Sequence, residues 1–136
     1  MMRVMEEAVT RGDGYSVSSL DALGDGPGFR KIRTPLGLTA FGMNAIVLPP
    51  SYSTGGHYHE HQEEVYFLHA GRIAIEFEDG TSHELGPGGL AWVDAPTVRS
   101  VRNVSDTDEA VYVVVGGKDG YVGRDGRQPD SKPLGG

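Results

Sequence analysis

A chain of 136 residues is long enough for one domain with a real core and too short for two. Its formal charge of -7 repels phosphate backbones, which argues against nucleic acid as a partner, and the lack of cysteine excludes disulfides and thiolate zinc sites. No apolar run approaches the ~20 residues that a membrane helix needs, so no membrane is expected and a cytoplasmic protein is the default.

Residues 1–14 are charged, lack the apolar stretch of a secretory signal, and read as a loose N-terminal arm. Residues 15–116 read as the folded domain. The run GDGPG at 24–28 is a turn cluster. Beyond it the hydrophobic pattern has period two. Strands are expected at 29–34, 38–48, 56–59 and 64–69. The clearest strand follows Gly71: Ile73, Ile75 and Phe77 share one face, and Arg72, Glu76 and Glu78 the other. Asp79-Gly80 then makes a hairpin turn into a strand at 81–85. Further strands are expected at 89–93, 98–103 and 110–115, separated by Gly-, Pro- and Asp-rich turns. Residues 117–136 have few apolar side chains and read as an irregular C-terminal tail. No amphipathic helix of ~10 residues is present. Many short strands at regular spacing define an all-β sandwich or barrel.

The chemistry concentrates between Gly56 and Gly71. Residues two apart on a strand point the same way, so His57 and His59 project together and Tyr58 projects oppositely. Glu64 opens the next strand, and a hairpin can return its carboxylate beside the two imidazoles. Two imidazoles and a carboxylate suit a divalent transition ion, and Fe, Mn, Ni, Zn and Co all accept these donors. His61 has the same parity and is either a substitute ligand or part of an exposed polar turn. Tyr66 shares the parity of Glu64, which places it on the pocket wall. Trp92 belongs to the pocket or to the core. Asp94 is either an acid/base group or a turn residue beside Ala95-Pro96.

This stretch resembles the first motif of the cupin superfamily, G-x5-H-x-H-x(3,4)-E-x6-G. His57, His59, Glu64 and Gly71 match it, and Ser51 stands where the leading Gly would be. The second motif, G-x5-P-x-G-x2-H-x3-N, is met at Gly88 and Asn103, with Asp94, Pro96 and Arg99 at altered central positions. The resemblance runs over roughly 36–115. It implies a small single-domain cupin of the cupin 2 conserved barrel type: an all-β jelly-roll barrel (a double-stranded β-helix) with a site in its mouth. It also implies a homodimer. The family's fourth metal ligand is a His at the position of Arg99. Arginine keeps its proton and has no lone pair to give, so Arg99 cannot ligate.

Arg99 then has three readings: an anchor for an anionic substrate, a replacement for the metal paired with Glu64, or a side chain turned outward. Two functions follow. One is a metal-dependent enzyme, of dioxygenase or isomerase type, with the ion on His57, His59 and Glu64, and Arg99 and Tyr66 binding a small anionic metabolite. The other is a metal-free small-molecule binder or sensor in which Arg99 replaces the fourth ligand. A purely structural module is disfavoured by histidines clustered at ligand spacing.

Overall fold

The computed structural model describes residues 8–129. Residues 1–7 of the expected arm and 130–136 of the expected tail lie outside the described residues. The strands are β1 (Thr10–Gly12), β2 (Tyr15–Val17), β3 (Gly28–Lys31), β4 (Gly42–Leu48), β5 (Tyr58–His59) and β6 (Glu63–Ala70), followed by β7 (Ile73–Phe77), β8 (Ser82–Leu85), β9 (Leu90–Val93), β10 (Arg99–Asn103), β11 (Ala110–Gly117) and β12 (Gly126–Arg127). Among the described residues no helix is long and apolar enough to cross a membrane.

Two antiparallel sheets face each other. The larger has the order β3-β4-β11-β6-β9 and the smaller β10-β7-β8. Because side chains alternate, each strand offers one face to the space between the sheets. On β6, Glu64, Tyr66 and Leu68 turn inward and Val65, Phe67 and His69 outward. Leu68 of β6, Ile73 and Ile75 of β7, Val101 of β10 and Tyr112 of β11 meet in one buried cluster. The chain crosses between the sheets after β6, β8, β9 and β10, which is the jelly-roll arrangement. Asn103 holds the sheets' ends together: its side-chain nitrogen donates to the carbonyls of Leu48, Pro49 and Asp108, and its oxygen accepts the Ser105 N–H.

The expected strand at 29–34 stops early. β3 ends at Lys31, and Arg33–Leu36 forms a single helical turn, α1, closed by Gly37 at φ 79°. Pro35 sits in the first turn of α1, where its missing N–H costs no hydrogen bond. The expected strand at 38–48 likewise starts only at Gly42.

Candidate metal and ligand site

Three segments converge at one end of the sandwich. His57 is pinned to the first residue of β10: its N–H donates to the Arg99 carbonyl and the Arg99 N–H to its own, both at 2.9 Å. His59 ends β5, and its N–H donates to the Ala95 carbonyl at 2.8 Å. Glu64 enters from β6. His59 Nε2 lies 3.2 Å and His57 Nε2 4.0 Å from Glu64 Oε1. The imidazoles meet edge to face, centroids 5.4 Å apart. One ligand atom from each of the three lies within 4.8 Å of the others. Donors bonded at about 2.0–2.2 Å to one ion stand roughly 3–4 Å apart, so this group can hold a divalent ion.

Arg99 lies behind Glu64 rather than opposite it. It is 1% exposed, and Nη2 donates to Glu64 Oε1 at 2.8 Å. Nε donates to the Tyr66 hydroxyl at 3.1 Å. Nη1 donates to the Thr97 carbonyl at 2.7 Å, with the Asp94 and Ala95 carbonyls at 3.3 Å. The Tyr66 hydroxyl passes a further hydrogen bond to Glu64 Oε1 at 3.0 Å. Burial alone would raise the Glu64 pKa. Hydrogen bonds from His57 and His59, with the charges of His59 and Arg99, outweigh it and hold the carboxyl well below the usual range. Burial and the Glu64 charge push the Tyr66 phenol far up, so it stays a protonated donor.

The cluster opens onto a cavity of about 1090 Å³, roughly the upper end for small-molecule sites. His57, His59, Glu64 and Tyr66 line it, and Arg99 does not. The guanidinium expected to meet the substrate is instead spent on Glu64, Tyr66 and the 94–97 turn. His61 is exposed in the turn between β5 and β6 and is not grouped with His57, His59 and Glu64. Trp92 is on the outer face, 61% exposed, and donates its indole N–H to Glu63 at 2.7 Å. It lines neither the cavity nor the core. Asp94 is an exposed turn residue whose carboxylate accepts the Thr97 hydroxyl.

Two further residues reach the site without a periodic signal in the sequence. Asp125 is 4% exposed, and its Oδ2 accepts the N–H groups of His61 at 2.9 Å and Gln62 at 2.8 Å. The same oxygen lies 3.8 Å from His59 Nδ1. Gln62 places its side-chain nitrogen 3.1 Å from that ring nitrogen. β12 pairs with β5, Gly126 opposite His59, which seats Asp125 there. Only a His and a carboxylate at ligand-like spacing signal themselves in sequence; Asp125 lies more than 60 residues from its partners in a Gly-rich run.

The chain belongs to the cupin-domain family, whose profile matches residues 45–116. No curated protein matches it. Among solved structures it is similar to a sugar phosphate isomerase of the cupin superfamily from Silicibacter pomeroyi DSS-3. That likeness has 25% identity over 93% of this chain and 89% of the other, with a TM-score of 0.63. The protein TT1209 from Thermus thermophilus shares 23% identity over 78% of this chain and 98% of its own, with a TM-score of 0.62. The DMSP lyase DddQ from Ruegeria pomeroyi DSS-3 shares 18% identity over 70% of this chain, with a TM-score of 0.59. This chain spans 46% of that lyase's length, and the likeness concerns the fold.

Proposed function

We propose that this cupin holds one divalent transition ion on His57, His59 and Glu64 and uses the adjoining cavity to bind and transform a small anionic metabolite. The carrying observation is the convergence of those three donors on the wall of a ligand-sized cavity. Charge supports the anionic character. One buried cation, Arg99, and two buried carboxylates, Glu64 and Asp125, surround the position. A divalent ion there leaves one net positive charge, which a low-dielectric site balances with an anion. The likeness to a sugar phosphate isomerase over nearly all of both chains makes sugar phosphates the first class to try.

The bound ion would supply a Lewis acid for a substrate oxygen. Iron, manganese, nickel and zinc all accept these donors. The protein's part is orientation. Tyr66 and Arg99 fix Glu64 through its Oε1. His59 would offer the Nε2 lone pair with its proton on Nδ1, and the Gln62 amide, whose nitrogen stands 3.1 Å from Nδ1, would have to flip to accept that proton on its oxygen. The exposed apolar strip of Val65, Phe67, Leu90 and Trp92 supports assembly as a homodimer.

A second reading is favoured by one observation: Glu64 Oε1 already receives Arg99 and Tyr66 at 2.8 and 3.0 Å. In that reading the guanidinium replaces the ion, and the pocket is a metal-free binder or sensor. Thermal unfolding of chelated protein separates the two. On the first reading Mn, Fe, Ni or Zn raises the melting temperature, by the equivalent of about 2.7 kcal/mol at a hundredfold excess over Kd. His57→Ala abolishes that rise, and glucose 6-phosphate adds to it. A rise with glucose 6-phosphate alone, and none with metal, establishes the second. No rise with either defeats both.

A further inference from the structure

With Arg99 withdrawn behind Glu64, direct side-chain contact with an anion in the cavity falls to another residue. Arg124 is the one Lys or Arg among the described residues that line the cavity. The neighbouring guanidinium groups are committed. Arg127 Nε donates to Glu60 Oε1 at 3.1 Å. Arg33 stacks over the Tyr121 ring, 3.7 Å from its centroid. The Arg124 guanidinium has no hydrogen bond or ion pair among the described residues, although its backbone carbonyl accepts Arg127 Nη1 at 3.0 Å.

The backbone at Arg124 is unusual. Its φ is 53°, in the left-handed region that glycine favours, while Gly123 and Gly126 stand close by without supplying that turn. A non-glycine residue keeps this conformation only where its surroundings enforce it. Here they do. Asp125 locks onto the His61 and Gln62 N–H groups, β12 pairs with β5, and Tyr121 is held beneath Arg33. The segment 121–129 is thus a strap held at Tyr121 by Arg33 and at 125–127 by β5 and the 61–62 backbone, and it carries the exposed Arg124 guanidinium, which has no partner among the described residues. The carboxylates on the cavity wall are Glu64, held by Arg99, and Asp125, turned to the 60–62 backbone. Neither ion-pairs with Arg124.

We infer that Arg124 is the anion-anchoring residue of the cavity and that the strap 121–129 is a working part of the binding site. This rests on reading the cavity as a site for a small anionic metabolite. A guanidinium grips a phosphate or carboxylate group by two parallel N–H bonds, so the anchored part of the ligand is such a group. The remainder of the ligand would then extend toward His57, His59 and Glu64.

Isothermal titration of the full chain with glucose 6-phosphate and with inorganic phosphate tests this, metal content being measured on each sample. Arg124→Gly removes the guanidinium and suits the left-handed backbone, so loss of binding cannot be ascribed to misfolding. It should weaken glucose 6-phosphate binding at least tenfold with metal content unchanged. Arg124→Lys should recover part of the affinity, as a purely structural role for the side chain would not require. Equal affinity in wild type and Arg124→Gly overturns the inference and leaves the proposed function standing. Wild-type protein that carries metal yet binds neither probe at millimolar concentration overturns the inference together with the anionic-ligand reading.

Discussion

Ser51 occupies the place of the first motif's leading glycine, and its φ of 63° shows what that glycine is for. The backbone after Pro49-Pro50 turns through the left-handed region, where an L side chain crowds its own carbonyl. Ser51→Gly should therefore raise stability by roughly 0.5–1 kcal/mol, the conformational penalty less glycine's greater chain entropy. A urea melt reads it, and a fall in midpoint would refute the explanation. At Glu64 the consequence is a dependence on pH. The folded carboxyl lies below its ordinary range, so the ionised form favours the fold. That contribution is complete above the unfolded pKa of about 4.3 and is lost as pH falls below it toward the folded value. Chelated wild type should lose more unfolding free energy between pH 6 and pH 3 than Glu64→Gln does. At pH 6 that variant should itself be less stable by about 3–5 kcal/mol, since it strands the buried Arg99 charge.

At the scale of elements, the turn from β6 to β7 is the tightest crossing between sheets. Gly71 has φ 82°, and a Cβ there would stand 2.6 Å from the Glu109 carbonyl oxygen and 2.8 Å from Ala110 Cα. Gly71→Ala combines left-handed strain with a backbone clash and should cost on the order of 3 kcal/mol, measured by thermal denaturation. A loss below about 1 kcal/mol would mean that the crossing relaxes freely. Such motif positions are legible because they answer to backbone geometry. So are β6 and β7, since burial of one face imposes period two on Tyr66, Leu68, Ile73 and Ile75. The same parity places His57, His59 and Glu64 together. What sequence could not show was the route of the 94–97 turn. Three of its carbonyls capture Arg99 and draw it behind Glu64, and that depends on loop path rather than strand register. Arg124 and Asp125 were hidden for a related reason. A lone carboxylate and a lone guanidinium in a Gly-rich run look like solvated chain until β12 pairs with β5. The strand expected at 29–34 stops at Lys31 because Arg33 and Thr34, which period-two counting treats as extended, open the helical turn α1 instead.

At the scale of the molecule, the outer face of the larger sheet carries Val65 opposite Trp92 and Phe67 opposite Leu90. All four are more than a third exposed, and Val113 and Val115 of β11 lie alongside them. An apolar strip on a chain of charge -7 is a strong candidate for self-association. Wild type should sediment as a dimer and Phe67→Asp as a monomer with the same circular dichroism spectrum. A monomeric wild type would remove the strip as the interface.

His57, His59 and Glu64 are proposed to hold a metal ion, and that claim can be tested on the purified protein. Inductively coupled plasma mass spectrometry of untagged protein never exposed to chelator tests it directly, beside His57→Ala and Arg99→His. Near-stoichiometric Fe, Mn, Ni or Zn is expected in wild type, and its loss in His57→Ala. Wild type without metal, alongside an Arg99→His variant that gains it, would contradict the claim and show that the guanidinium stands in the ion's place.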